Sequence, residues 1–139
     1  VYNVQDLYAL VAAAPDAHWV CLQQNLTAAE KQWLEKHRIA QFSDEIGGLA
    51  DLAGLMAHLD FVVSTDTPVI HLAGAMGIEG AVMLSAPAYA WNWGIAGSKR
   101  NMWYPTVENW HAPHPLASWR EIISEAAQHL HAHLHNRTF

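Results

Sequence analysis

An apolar run from Leu59 to Val63, a polar turn from Ser64 to Thr67 and a helical stretch from Pro68 to Met76 constrain this chain more than anything else in it. The run reads as a buried strand. A strand, a tight turn and a helix in that order belong to α/β packing. Pro68 suits the first turn of the helix, where no N–H is needed, and Gly77 suits its C-cap position. The same arrangement commonly holds a phosphate group. A helix N-terminus leaves backbone N–H groups unpaired and carries a partial positive charge, so an anion sits there favourably. Thr67 adds a hydroxyl donor, and His71 lies one turn on, on the same helix face. Two plainer readings stand beside this one. Asp66 and Thr67 serve as an N-cap pair, and His71 is a satisfied core histidine. A carboxylate repels phosphate, so Asp66 is expected to orient backbone N–H groups or a ribose.

The rest of the chain repeats the alternation. Asp6 to Ala14 is apolar at helical spacing and ends at Pro15-Asp16. Trp19 to Leu22 is a short β-prone run. Thr27-Ala28-Ala29-Glu30 has the spacing of a capping box, which starts a helix reaching about Lys36. Ile39 to Phe42 is a short strand candidate, Gly47-Gly48 a turn, and Leu49 to His58 an Ala-rich helix. Ala81 to Leu84 is a further strand. Ser85 to Pro115 breaks the pattern with Pro, Trp and little periodicity, and is expected to be irregular and held by its aromatics. Leu116 to His135 reads as a closing helix. Helices alternating with short apolar strands predict an open, Rossmann-like parallel sheet with helices on both faces, in one domain spanning residues 1–139. In such sheets ligands bind at the carboxyl ends of strands. The strands are few, so a sheet edge is expected to be exposed, or completed by a segment or partner, and is a candidate surface for homo-oligomers.

Composition removes several function classes. The formal net charge of −6 argues against a general grip on nucleic acid. No run of about twenty apolar residues predicts a membrane span, and no signal peptide opens the chain. Cys21 is the single cysteine, in an apolar run, and reads as a small buried side chain. A reducing, cytoplasmic setting is the simplest expectation. His129, His131, His133 and His135 form two i,i+4 pairs. They read as an exposed helix end with favourable placement in the helix dipole; no carboxylate or Cys joins them, so no metal is expected. Glu45, Asp51 and Glu79 show no spacing that sets two carboxylates across one cleft. Lys99 and Arg100 read as loop charges. Most of Trp91, Trp93, Trp103 and Trp110 are expected in the core of the irregular segment, with one of Trp91 or Trp93 facing a ligand.

The stretch Asp66-Thr67-Pro68-Val69-Ile70-His71-Leu72-Ala73-Gly74-Ala75-Met76-Gly77 resembles the D-T-x-x-x-H-L-x-G-A-x-G signature of GT-B glycosyltransferases. It looks most like the heptosyltransferase-like C-terminal domains that follow tetratricopeptide repeats in bacterial proteins. Val20-Cys21-Leu22-Gln23, Gly48 to Ala53, Ala90 to Trp93, Trp103-Tyr104-Pro105-Thr106 and Trp119 to Ile123 resemble further motifs in the same order. The resemblance implies the nucleotide-sugar-binding half of an enzyme that transfers a sugar from a nucleoside diphosphate to a protein or glycan acceptor. It implies that Asp66, Thr67 and His71 sit at the diphosphate, and that Ser85, Ala86, Trp91 and Trp93 line the base or sugar. No tightly bound metal is implied. Backbone dipoles and side-chain donors stabilise the departing diphosphate. It also implies that an acceptor-binding N-terminal domain and a first strand belong ahead of Val1, so that the isolated chain is not expected to turn over. Leu52 stands where the family has Thr, Ile78-Glu79-Gly80 where it has a basic residue, Pro and Val, and Ala88-Tyr89-Ala90 where it has Pro-Asp-Trp. These departures motivate a rival reading: a degenerate half kept as a binding or interaction module. A nucleotide-sugar epimerase on an open α/β sheet is the other rival.

Overall fold

The computed structural model describes residues 3–85, 93–94 and 97–136 of the chain. A 3-10 turn at Val4–Leu7 runs into α1 (Tyr8–Ala13), followed by β1 (Val20–Cys21), α2 (Ala28–Lys36) and β2 (Ala40–Gln41). Then come α3 (Leu49–Met56), β3 (Val62–Thr65), α4 (Pro68–Ala75), β4 (Gly80–Leu84), β5 (Val107–His111) and α5 (Trp119–His135). All named strand pairs are parallel, in one sheet of order β1-β2 and another of order β3-β4-β5. This is the expected open, Rossmann-like α/β architecture, with helices flanking the sheets.

Side-chain alternation along β4 sets the layers. Ala81 and Met83 face Leu10 and Ala14 of α1 and Ile122, Ile123, Ala126 and Leu130 of α5. Val82 and Leu84 face the opposite way, onto Leu52 and Met56 of α3 and Ile70 and Ala73 of α4. Every residue of β4 is buried, as a central parallel strand covered on both faces requires. A third, smaller core joins Val4, Leu34 and Ile39 under Trp19 and Cys21. The two sheets share their faces. Trp19 of the β1 run and Val63 of β3 both pack against the α1/α5 core, and Leu22 packs against the α3/α4 core that contains Val62.

Local signals explain where the helices begin. Thr27 and Glu30 form the expected capping box, with Glu30 N–H to Thr27 Oγ1 at 3.2 Å and Thr27 N–H to Glu30 Oε2 at 2.7 Å. Gly77 takes φ +72, the left-handed conformation that ends a helix at low cost with glycine.

Two expectations need correction. The segment after Ser85 is not irregular throughout, because Val107–His111 forms β5 on the open edge of β4. Its polar residues hid it. Asn109, at 1% exposure, is one of the deepest residues in the structure, and its side chain is satisfied by distant partners. The closing helix begins at Trp119, not Leu116. Ser118 caps it through a reciprocal box with Glu121, and Leu116 is 91% exposed. The tryptophans also divide. Trp93 and Trp110 are core, Trp103 is 61% exposed, and Trp91 lies outside the described residues.

Candidate functional site

β3 ends in Ser64 and Thr65, and the chain turns through Asp66 into Thr67, the N-cap of α4, with φ −138 and ψ 167. Extended backbone at this position aims the first turn of α4 towards the carboxyl ends of β3 and β4. Pro68 follows as the first helical residue. Thr67 does not cap the helix with its side chain. Its hydroxyl instead meets Ser64 Oγ at 3.0 Å. Asn3, Thr27 and Ser118, at the other polar N-caps, all bond back to their own first turns. Among the described residues no side chain caps the first turn of α4, where Pro68 has no N–H and the Ile70 amide donates to Thr67 O at 3.2 Å.

His71 stands one turn further along α4 and is the most heavily contacted polar side chain here. Its Nδ1 lies 2.9 Å from the Tyr104 hydroxyl. Its Nε2 lies 3.5 Å from Asp66 Oδ1, with both side chains nearly half exposed. Its ring stacks on the Trp93 indole, centroids 4.8 Å apart at 27°, and meets the Tyr104 ring edge-on at 5.8 Å. With the Tyr104 hydroxyl as donor to Nδ1, the ring proton sits on Nε2, on the side of Asp66. Asp66, Thr67, Pro68 and His71 line a shallow cleft of about 600 Å³ with Leu49, Leu72, Ala75 and Tyr104.

Tyr104 and Trp93 are placed by a buried amide pair. Asn109 Nδ2 donates to the carbonyl of Trp93 at 2.7 Å and of Arg100 at 3.1 Å. Asn101 Nδ2 donates to Asn109 Oδ1 at 2.8 Å, and Asn101 Oδ1 accepts the amides of Trp103 and Tyr104, each at 2.9 Å. One strand residue thus pins both aromatics beside α4. Gly74 completes the fit. A Cβ there would come closer than 3.0 Å to three ring atoms of Tyr104, so only glycine lets the ring lie flat on α4.

Asp66, Thr67 and His71 therefore come together as the sequence implies. Ser85 is half-buried just past β4 but does not line the cleft. Ala86 and Trp91 lie outside the described residues. Trp93 is a buried wall beneath His71 and presents no open face, at 1% exposure. Sequence reasoning did not single out Tyr104, Asn101, Asn109 or Gly74 as site-building residues. Lys99 and Arg100 lie outside the cleft, and no cationic Lys or Arg lines it among the described residues.

Two further groups bear on chemistry. Burial raises the Cys21 thiol above its ordinary value, outweighing a hydrogen bond from the Gln23 backbone, with Glu30 adding in the same direction. The thiol stays protonated, which argues against a nucleophile. Of the four C-terminal histidines, His131 and His135 are exposed as expected, whereas His129 and His133 are partly buried. His129 packs over Trp110 at 5.5 Å and His133 over Phe61 at 4.7 Å, and burial lowers the His129 imidazole, with Lys99 acting in the same sense. No three His, Cys, Asp or Glu side chains gather as metal ligands among the described residues. No described helix is long and apolar enough to cross a membrane.

In comparisons with known proteins, no family model, no curated protein and no solved structure matches this chain.

Proposed function

We propose that the cleft at the carboxyl end of β3 receives the diphosphate of a nucleotide, and that the chain is the donor-binding half of a GT-B-type glycosyltransferase. The observation that carries this reading is Thr67. It occupies the N-cap of α4 yet withholds its hydroxyl from the helix, and with Pro68 lacking an N–H and the Ile70 amide donating to Thr67 O at 3.2 Å, the Val69 amide is the first-turn donor left to an outside acceptor. In the tautomer whose Nδ1 accepts the Tyr104 hydroxyl, His71 adds a proton on Nε2, with Tyr104 behind the ring and Trp93 stacked against it. A phosphate oxygen arriving there replaces Asp66 as the group facing Nε2, and Asp66 is left to the ribose hydroxyls. Negative charge developing on a leaving diphosphate is then met by backbone dipoles and one imidazole, with no metal required. Transfer of the sugar to a protein or glycan acceptor needs the other half of such an enzyme, so the isolated chain binds without turning over. A cytoplasmic setting accords with a lone, protonated thiol.

One observation favours a second reading. A diphosphate cleft that no Lys or Arg lines among the described residues, with Asp66 on its rim, is weakly built for an anion. A degenerate half retained as an interaction module has no need of those cations.

Calorimetric titration with UDP, GDP and ADP separates the two. Saturable binding of one nucleotide that is lost in Thr67→Val is the expected result. Equal binding by Thr67→Val sinks the site assignment, and no binding of any nucleotide leaves the interaction module as the better reading.

A further inference from the structure

Asp66, His71 and Tyr104 stand in a chain across the cleft. Asp66 Oδ1 lies 3.5 Å from His71 Nε2, and His71 Nδ1 lies 2.9 Å from the Tyr104 hydroxyl. With the ring proton on Nε2, the Nδ1 lone pair accepts the phenol O–H. A hydroxyl and a base within about 2.6–3.2 Å, the base oriented by a third group, is the arrangement that lets a hydroxyl attack an electrophile. The three parts come from separate places: Asp66 from the turn after β3, His71 from α4 and Tyr104 from the segment ahead of β5. Trp93 stacks on the imidazole at 4.8 Å and Tyr104 meets it edge-on, so the ring is held in line. The phenol ring lies against Gly74, and the Tyr104 amide donates to Asn101 Oδ1 at 2.9 Å. A phenol that served only to prop His71 would need no access to a ligand, whereas Tyr104 lines the cleft itself. The neighbouring hydroxyls of Ser64 and Thr67 bond each other instead of a base.

We propose that the Tyr104 hydroxyl is itself a sugar acceptor, and that the chain glycosylates its own Tyr104 from a nucleoside-diphosphate sugar bound in the cleft. The inference rests on the nucleotide reading of this site. A phosphate oxygen held by the Val69 N–H and His71 Nε2 leaves the attached sugar to run along the Cε1 edge of the imidazole, towards Nδ1 and the phenol. The step is one displacement. A lone pair of Tyr104 Oη forms the bond to the anomeric carbon. The bond from that carbon to the diphosphate oxygen breaks, and its electron pair leaves with the diphosphate. The phenol proton passes to His71 Nδ1, and the Nε2 proton passes to the leaving diphosphate. The imidazole ends neutral, in its other tautomer. Nothing is oxidised or reduced, and no further reactant enters. The anomeric configuration inverts, as a single displacement requires. Each chain does this once, because the hydroxyl is consumed, so the step is not turnover. Transfer to a separate acceptor still needs the other half of such an enzyme.

Intact-mass spectrometry of the 139-residue chain, with calorimetry on the same sample, tests this. The probes are UDP-glucose, UDP-N-acetylglucosamine, GDP-mannose and ADP-glucose. With a donor whose nucleotide binds, the chain is expected to gain the mass of one sugar residue, and fragmentation is expected to place that sugar on Tyr104. Tyr104→Phe keeps a ring against Gly74 and is expected to gain none. The mapping is made on the parent chain, so the result stands even if that variant folds poorly. Saturable nucleotide binding with no mass gain from any of these donors overturns the self-transfer and leaves the nucleotide reading standing. A gain mapped to another residue, or an equal gain in Tyr104→Phe, overturns it as well. If none of the nucleotides binds, the reading of the cleft fails and the inference fails with it.

Discussion

Replacing Gly74 by alanine tests the construction of the cleft directly, because the same change at Gly54 serves as its control. Both glycines lie in helices, α4 and α3. Alanine in a helix interior is favoured over glycine by up to about 1 kcal/mol. At Gly54 a Cβ meets nothing within 4 Å, so Gly54→Ala gains that full amount. At Gly74 the Cβ drives into the Tyr104 ring, an overpacking that costs about 1–3 kcal/mol. The net effect of Gly74→Ala is then a loss of roughly 0–2 kcal/mol. For a chain of this length, 1 kcal/mol corresponds to roughly 3–4 °C in Tm. Thermal unfolding should place Gly54→Ala about 3 °C above the parent and Gly74→Ala up to about 7 °C below it. The cause is isolated by adding Tyr104→Ala. With the ring gone, Gly74→Ala becomes stabilising, and the coupling energy equals the clash, about 1–3 kcal/mol. Additive effects in that cycle would refute the placement of Tyr104 against α4, and with it the bond that fixes His71.

Asn109→Ala strips the carbonyls of Trp93 and Arg100 and the Asn101 amide of their buried partner, which should cost roughly 2–4 kcal/mol by denaturant unfolding; a loss below about 0.5 kcal/mol contradicts the pin. Gly80→Ala sets a Cβ against the Val62 carbonyl at the start of β4, where backbone has little room to yield, and a Tm unchanged from the parent would show that the β3–β4 register differs. The Ser118 amide, the Ser118 hydroxyl and His114 hold the Glu121 carboxyl down to about 2 from its ordinary 4.5. Its folded value is depressed, so its contribution is complete above about 4.5 and is lost as pH falls through about 2. The Tm difference between the parent and Glu121→Gln should stay constant at neutral pH and close over that acid window. Burial keeps the Cys21 thiol protonated, so an alkylating reagent should label it far more slowly than free cysteine at pH 8 until denaturant is added.

The strand–turn–helix at residues 59–77 was legible because each of its signals is local. Buried β-residues, a proline at the first helical position and a glycine at the end decide their own backbone. The Thr27–Glu30 box was legible for the same reason. The equivalent box at Ser118 and Glu121 carried the same spacing but was masked by Leu116, whose apolar side chain extends the helical pattern upstream into solvent. β5 was hidden for a deeper reason. Glu108, Asn109 and His111 are poor strand formers by propensity, and burying Asn109 is tolerable only because Asn101, Arg100 and Trp93 arrive to satisfy it. Asn101 and Arg100 lie eight and nine residues before Asn109 and Trp93 sixteen, beyond the reach of a strand-length window. Tyr104 was quoted within a motif, yet its place beside His71 depends on the same buried amides and on Gly74.

The Asn109 pin ties the lifetime of the cleft to that of the sheet. Loops that carry a site usually open by themselves, in small fluctuations that leave the scaffold intact. Here the residue that fastens Trp93 and the turn before Tyr104 is the middle of β5, hydrogen-bonded to β4 along its whole length. For His71 to lose both of its aromatic supports, a strand must leave the edge of the three-stranded sheet. The support of the site and the margin of the fold thus come apart in one event, and the wall behind His71 should be as long-lived as the β4–β5 ladder itself.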